Sequence, residues 1–483
     1  MNFVSYEFVA FLVVCWLAFL IAPDRMRMPV LLLGSYVFYA FWSIPFLGVL
    51  LFTTSVDYFA SRIMVSSTSS FKRKAALYTA AGINLLILGC FKYSNFLLDD
   101  SLLLSRILHL PVPTIDHLKV ILPLGISYFT FEAISYVVDV YRGKEAARNW
   151  FEYNFYIMYF PHLVSGPIVR FNELCRQYRG VIQRPNSAQL EKAFELIVLG
   201  YLFKVVIADN CAIPANQLFM NPQATSLLNT YAGALAFGAQ IYFDFLGYTH
   251  IARGVSLLFN IELPINFNHP LLANNMANFW QRWQMSLTRW LYDYVYLPLG
   301  GSRKSLKRRM AIAFTTLLIA GIWHGSGWNF VGLGVFYGGC IAFYHAYRHV
   351  RKKCLGTADA AVTSSWIYRL FSISLTFVCI VIGGIFFRAT DLAQAFFIIG
   401  KLTRFRMLTE ELSALIQTHE FLPLFLIFLF PFLTMSGPFW VRLYNTTFRH
   451  LPLWAKWQVS TLFVVFCWIM YSPSAKTFIY FQF

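Results

Sequence analysis

The class of this protein is indicated by residues 311–347, which read A-I-A-F-T-T-L-L-I-A-G-I-W-H-G-S-G-W-N-F-V-G-L-G-V-F-Y-G-G-C-I-A-F-Y-H-A-Y. Two apolar stretches, 310–323 and 327–347, are each flanked on the far side by a basic cluster (Arg303 to Arg309 and Arg348 to Lys353). Because basic clusters stay on the cytoplasmic side of a membrane, the stretches predict a helical hairpin that starts and ends there. The first stretch, about 14 residues or roughly 21 Å as a helix, puts the turn within the membrane or near its far side.

Composition extends this prediction to the whole chain. Of its 483 residues, 58% are hydrophobic and 13% are charged, whereas soluble domains are about 45–50% apolar and about 25% charged. Aromatic residues make up 19% of the chain, a content that suits lipid-facing and interfacial surfaces. The sequence therefore predicts an all-α, polytopic integral membrane protein built as a helical bundle.

Other apolar stretches predict the remaining helices, some of which are too short to cross a bilayer and are expected to be re-entrant or half-spanning. Splitting 29–60 at Pro45 leaves the Arg25/Arg27 turn and the Lys72 cluster on one side, with the N-terminus outside. The predicted segments, besides the two above, are 4–22, 29–42, 45–60, 76–98, 120–140, 151–168, 194–209, 228–247, 252–262, 366–387, 421–437 and 457–471.

The net charge of +17 raises the question of a nucleic-acid partner. The basic residues lie in short clusters between apolar blocks, as topology determinants do, and no nucleic-acid binding is expected. The eight cysteines are scattered without a C-x-x-C pair, so neither a metal site nor a disulfide framework is predicted.

His324, in the turn of the predicted hairpin, is the sharpest candidate for a functional residue. Ionisable groups at membrane depth are costly and mark function, and a neutral imidazole suits general-base chemistry. Gly325 and Gly327 allow close approach of backbone to a ligand, and Trp323 and Trp328 are expected to wall the site. The alternative is a histidine that only hydrogen-bonds neighbouring helices.

The segment 278–301, N-F-W-Q-R-W-Q-M-S-L-T-R-W-L-Y-D-Y-V-Y-L-P-L-G-G, is amphipathic and rich in aromatics. Arg282, Arg289 and Asp293 fall at helical spacing, and the last two can pair. One interpretation is an interfacial helix at the cytoplasmic surface. The other is an entrance for an anionic donor, with the arginines meeting its phosphates and with Trp280 and Trp323 as further donor-binding residues.

Three further polar residues lie in or beside apolar runs. Asp244 follows an apolar run near the end of the segment 228–247. A buried carboxylate there needs a partner, so both structural pairing and catalysis are open as its role. His162 and His269 stand beside prolines, where hydrogen bonding at a helix break is favoured over catalysis.

Longer motifs make the chain resemble the membrane-bound O-acyltransferases, in their bacterial branch of alginate O-acetylation proteins. The motifs are L-P-L-G-I-S-Y-F-T-F-E-A-I-S-Y-V-V-D-V-Y-R-G (122–143), F-P-H-L-V-S-G-P-I-V-R-F (160–171), F-K-V-V-I-A-D-N (203–210), Q-I-Y-F-D-F-L-G-Y (240–248), L-P-I-N-F-N-H-P (263–270), F-W-Q-R-W, W-L-Y-D-Y-V-Y-L-P-L-G-G, W-H-G, F-F-R-A (386–389) and the terminal F-I-Y-F-Q-F.

The resemblance implies a fold with a central funnel, through which an acyl group passes from a cytoplasmic donor towards an outer acceptor. It also implies that His324 is the essential histidine. Two positions depart from the family pattern: Gln284 replaces the histidine of F-W-x-R-W-H, and His250 replaces the aspartate of G-Y-S-D-I-A. Either Gln284 positions substrate, or His250, His269 or Asp244 assists, or activity is altered.

The resemblance thus predicts an O-acetyltransferase of the bacterial inner membrane that uses acetyl-CoA, binds no cofactor and works with an extracytoplasmic acetyltransferase on an exported polysaccharide. D-alanyl transfer to teichoic acids, a non-catalytic scaffold or acyl channel, and a transporter are the alternatives. A single membrane domain over 1–483 is expected, with N-terminal helices in 1–149, the catalytic core in 150–350 and C-terminal helices in 351–483.

Overall fold

The computed structural model describes residues 3–404 except 110–117, 119–120, 165, 181 and 302–303, together with isolated positions between 446 and 462. Across these residues all regular structure is helical and no strand occurs, which confirms the all-α prediction. The predicted segments 421–437 and 457–471 lie outside the described residues.

Long apolar helices confirm that the chain crosses a membrane several times. Within the described part of the chain, five helical segments are long and apolar enough to span by length and composition. They are Ile44–Ser66, Ser70–Ile107, Ser187–Met220, Trp328–Ser364 and Trp366–Arg388.

Packing groups the residues into two compact units, Met1–Ile197 with Tyr248–Ile265, and Val198–Gly247 with Asn266–Phe483. Because two compact units can still fold together, the expectation of a single membrane domain stays a prediction. The helices that start in the first unit are α1 (Tyr6–Ile21), α2 (Arg27–Ala40), α3 (Ile44–Ser66), α4 (Ser70–Ile107), α5 (Ile126–Tyr141), α6 (Trp150–Met158), α7 (Phe160–Leu163), α8 (Phe171–Tyr178) and α9 (Ser187–Tyr201).

The second unit continues α9 as a π-helical segment, Leu202–Ala208, in which backbone bonds skip one residue more than in an α-helix. The remaining helices are α10 (Asp209–Met220), α11 (Leu227–Leu257, which ends in the first unit), α12 (Met276–Trp280), α13 (Met285–Leu291), α14 (Leu306–His324), α15 (Trp328–Leu355), α16 (Asp359–Ser364), α17 (Trp366–Arg388) and α18 (Leu392–Leu402). A second π-helical segment, Tyr292–Tyr296, follows α13.

Two predicted segments have different limits in the structure. The stretch 151–168 is no single helix, because the backbone leaves helical geometry at Tyr159 (ψ 105°) and Pro161 cannot donate a backbone hydrogen bond. The stretches 228–247 and 252–262 instead belong to one helix, α11, which continues to Leu257. The polar residues between them leave the helical backbone bonds intact.

His162 and Glu132 are two buried polar residues of the first unit that lie close together, which reduces the cost of their desolvation. His162 Nδ1 lies 3.2 Å from Glu132 Oε1, and both side chains are buried. The same carboxylate oxygen accepts a hydrogen bond from the backbone N–H of Val169 at 3.0 Å. His162 therefore makes a close contact with a buried carboxylate beside the helix break, and the hydrogen bond expected of it stays a prediction.

The predicted hairpin is present as α14 and α15, joined by Gly325–Gly327. Helix α14 has 19 residues and so spans about 28 Å. The expected length of roughly 21 Å was too short, because the helix begins at Leu306, inside the basic cluster. Lys352 and Lys353 lie in the last turn of α15, so the basic residues of both helices share the end opposite His324.

The two helices of the hairpin touch through backbone atoms. A Cβ added at Gly321 would lie 2.5 Å from Gly334 Cα, and one added at Gly334 would lie 2.8 Å from Leu318 Cα. Real Cβ atoms do not approach other atoms so closely, so both positions require glycine. Small residues of this kind let membrane helices pack closely.

We predict that Gly321→Leu destabilises the protein by about 1–3 kcal/mol or more, because the added side chain must separate α14 from α15. Thermal unfolding of the detergent-purified protein measures the effect. Gly339→Leu is the matched control, since a Cβ at Gly339, on the exposed side of α15, meets no atom of the described residues within 4 Å. Equal stability of the two variants would show that the hairpin does not depend on this contact.

Candidate functional site

A cavity of about 630 Å³, counting its open side, lies against His324 in the second unit. Its walls come from α11, α14, α15, α17 and the segment around α12. Most lining side chains are apolar or aromatic, as in most small-molecule sites. The polar exceptions are His324, Trp280, Trp283 and Tyr337.

His324 is the last residue of α14, and aromatic rings hold its imidazole. The ring centroids of Trp323 and Phe387 lie 4.9 Å and 5.3 Å from that of His324. Trp323 is buried beside His324 but is not among the residues that line the cavity. Trp328 is 53% exposed and does not line the cavity, so the expectation that it walls the site was wrong. As the first residue of α15, it starts a new helix that turns its side chain outward.

Asn329 fixes the turn against the end of α17. Its buried side-chain amide donates hydrogen bonds to the backbone carbonyls of Ala389 at 2.9 Å and Phe386 at 3.3 Å. These carbonyls belong to the end of α17, where intrahelical partners are missing. Asn329 thereby holds Phe387 at a set distance from the hairpin turn.

The segment 278–301 does not form the continuous amphipathic helix that its spacing predicts. The first short helix, α12, ends at Trp280, and the next, α13, begins after Gln284, whose φ of 41° lies in the left-handed region. The backbone carbonyl and side-chain Oδ1 of Asn266 accept hydrogen bonds from the N–H groups of Met285 and Ser286, at 2.8 Å and 3.2 Å. Arg282 and Arg289 therefore belong to different elements.

Of the predicted donor-binding residues, only Trp280 lines the cavity. Its ring packs edge-on against Tyr337 with centroids 5.0 Å apart. Its indole N–H is buried and has no hydrogen-bond partner among the described residues. Arg282 and Arg289 are not among the lining residues, and Arg289 is exposed.

Gln284 is 1% exposed. Neither its side-chain oxygen nor its side-chain nitrogen has a hydrogen-bond partner in the described part of the chain. An unsatisfied buried amide costs about 1–3 kcal/mol, and such groups call for an explanation such as an ordered water or a functional role.

His269 lies beside the break at Gln284. Its segment is tied to the break by a backbone hydrogen bond from Asn268 N–H to the carbonyl of Arg282, at 2.9 Å. Partial desolvation, followed by the positive charge of Arg282, lowers the pKa of His269. Its imidazole is therefore neutral at neutral pH. His250, in α11, belongs to the first unit, whereas His324 belongs to the second.

Asp244 belongs to a buried ion cluster and does not line the cavity. Lys204 Nζ lies 2.9 Å from Asp244 Oδ1 and 2.7 Å from Asp209 Oδ1, and all three side chains are at most 4% exposed. Lys204 lies in the π-helical segment 202–208 and Asp244 in α11, so the cluster ties the two together. The contacts favour pairing for Asp244, the first of the two interpretations.

Several cavity residues were missed from the sequence, chiefly Tyr337 and Phe387. Phe387 stands in the F-F-R-A motif, where an aromatic pair beside an arginine ends a long apolar helix, so a signal existed. Tyr337 occupies an ordinary helical position in an aromatic-rich run, which gives no such signal. Among the described residues, no group of His, Cys, Asp or Glu side chains is placed to hold a metal ion.

Comparison with known proteins matches most of this chain. A model of the membrane-bound O-acyltransferase family matches residues 113–383. A probable alginate O-acetylase of Azotobacter vinelandii is 34% identical over 78% of this chain and 72% of its own length. A peptidoglycan O-acetyltransferase of Helicobacter pylori is 32% identical over 80% of this chain and 76% of its own length. A teichoic acid D-alanyltransferase of Streptococcus thermophilus is 31% identical over 54% of this chain and 65% of its own length.

We predict that Lys204→Met lowers the free energy of unfolding by about 3–5 kcal/mol, because two buried carboxylates lose their shared cation. The triple variant Lys204→Met/Asp209→Asn/Asp244→Asn removes all three charges and should recover much of that loss. Thermal unfolding of both purified variants measures the difference. A single variant as stable as the wild type would show that the cluster contributes nothing to stability.

Proposed function

This chain belongs to the membrane-bound O-acyltransferase family, and we propose that it moves acetyl groups from cytoplasmic acetyl-CoA across the bacterial inner membrane for O-acetylation of an exported or cell-envelope polysaccharide. The family and the long apolar helices make it a multi-pass membrane O-acyltransferase. We propose the rest: the acetyl-CoA donor, the outward direction of transfer, the polysaccharide acceptor and the location in the inner membrane.

One observation carries the proposal. His324 faces an apolar cavity at the end of α14, about 28 Å along the helix from the basic residues at its start. That length is close to the hydrocarbon thickness of about 30 Å. A base at this depth suits a reaction in which the donor arrives from the basic side and the acceptor from the other.

The chemistry is a single acyl transfer. The acceptor hydroxyl oxygen attacks the thioester carbonyl carbon while His324 takes the hydroxyl proton, and the C–O bond forms. The C–S bond then breaks, and the departing thiolate takes the proton from the imidazolium, so that the products are an acetate ester and free CoA. The buried indole N–H of Trp280 is a candidate donor to the oxyanion, because its residue lines the same cavity.

The relatives favour acetyl over D-alanyl as the acyl group. The two O-acetylating relatives match 78% and 80% of this chain, whereas the D-alanyltransferase matches 54%. By analogy with their printed names, alginate and peptidoglycan represent the class of acceptor. We further propose that an extracytoplasmic acetyltransferase receives the acetyl group. Arg282 and Arg289 would meet the donor phosphates outside the cavity.

We predict that His324→Ala lowers acetylation of the envelope polymer at least about 100-fold, because general-base help is worth about 10²–10⁴-fold. Acetate released from the polymer by mild base is measured, with immunoblots for the protein in the membrane. His349→Ala, at an exposed histidine near the basic end of α15, is the control and should acetylate normally. Acetate at the wild-type level in His324→Ala would remove this residue from the mechanism.

We predict that Gln284→His changes acetylation by less than about tenfold, because glutamine already supplies a donor and an acceptor. Histidine is also tolerated in the left-handed region. Gln284→Ala should lose most activity without losing stability, since its side chain makes no hydrogen bond within the described protein. A hundredfold gain in Gln284→His, measured as polymer acetate, would instead show that the natural protein lacks a proton carrier here.

A further inference from the structure

Five glycines line the cavity beside His324, and close packing explains three of them. A Cβ added at Gly321, Gly334 or Gly383 would lie 2.1–2.8 Å from the nearest atom, which belongs to a neighbouring backbone or to Tyr337. At Gly384 the nearest atom, Phe237 Cδ1, is 3.4 Å away, an ordinary contact distance. Only three of the five glycines are therefore required by packing.

Gly238 differs from these four, because a Cβ added there meets no atom of the described residues within 4 Å. It lies inside α11, where glycine is among the least favourable residues for helix stability. Ile241, one turn further along α11, also lines the cavity, so this face of the helix is turned towards His324's cavity. Neither helix stability nor packing against the described residues explains a glycine at position 238. What the missing side chain does is leave space on this side of the cavity.

The space beside Gly238 is apolar. Ile241, Ile380, Leu317 and Phe387 line the same cavity, and such a surface binds hydrocarbon rather than charged or strongly polar groups. The thioester end of an acyl donor fits this description, because its hydrocarbon tail is apolar while its carbonyl must stand near a base.

We propose that Gly238 is a specificity-determining residue, which sets the length of the acyl group that the cavity holds beside His324. This inference rests on the proposed acyl transfer from CoA. A Cβ at Gly238 would meet no described atom within 4 Å, so we expect the wild type to take a linear group with one more methylene as well as acetyl. A side chain at position 238 shortens the cavity and excludes the longer group first.

The test is competition between two donors. Inverted membrane vesicles carrying the full-length protein receive acetyl-CoA and propionyl-CoA together, and mass spectrometry counts the acetate and propionate esters on the envelope polymer. The wild type should transfer both groups. In Gly238→Ala the propionate-to-acetate ratio should fall at least about tenfold, since one methylene in an apolar pocket is worth about 10–200-fold in selectivity. Gly238→Leu should lose both transfers.

Gly339→Ala is the matched control. Gly339 is also a helical glycine where an added Cβ meets no described atom within 4 Å, but it lies on the exposed side of α15. Its propionate-to-acetate ratio should equal that of the wild type. Thermal unfolding separates occlusion from misfolding, since alanine is the better helix former. Gly238→Ala should therefore unfold at the wild-type temperature or above.

Two outcomes would overturn the inference in distinguishable ways. An unchanged ratio in Gly238→Ala, with the wild type transferring acetyl groups, would remove Gly238 from selectivity and leave the proposed function standing. No ester from either donor with wild-type protein would overturn the proposed function, and the inference with it.

Discussion

The backbone contact between Gly321 and Gly334 is the constraint on which the site depends. Lipid tails are as apolar as the helices, so membrane helices gain little from burying hydrocarbon and associate through close packing. An approach of 2.5 Å from an added Cβ to the facing Cα fixes both the separation and the register of α14 and α15. Once the register is fixed, the position of the three-residue turn is fixed as well, and with it the position of His324, which directly precedes the turn.

The hairpin turn is then held from the other side by polar contacts. Asn329 donates to the carbonyls that end α17, so the position of Phe387 and that of the turn are coupled. The ion cluster of Lys204, Asp209 and Asp244 also restrains α11, which forms part of the cavity wall. Buried ions are expensive at membrane depth, but once paired they permit few alternative arrangements. Asp244 follows Ile241 by three residues on α11, and the ion pair therefore restrains the helical face that closes the cavity.

The sequence predicted those features that depend on average properties of long segments. Apolar length and basic flanks gave α14, α15, α17 and the all-α class, because the bilayer enforces both. Features that depend on single residues were not predictable in the same way. Nothing in Q-R-W-Q-M marks Gln284 as left-handed, since glutamine has no special tolerance for that conformation. The helical spacing of Arg282 and Arg289 therefore predicted one continuous helix, which the structure does not have. Asp244's partner was equally hidden, because Lys204 lies forty residues earlier.

The composition of the cavity restricts how protons can move during the reaction. Of the residues that line it in the described structure, His324 alone has an ordinary pKa near neutrality. Gln284 stands where the resemblance to the family implies a second histidine, and an amide cannot store a proton at neutral pH. In the proposed transfer, a single imidazole takes the proton from the acceptor hydroxyl and returns it to the departing thiolate within one turnover. That sequence requires both oxygen and sulfur to lie within reach of one ring, inside the largely apolar cavity that Trp280 and Phe387 also line.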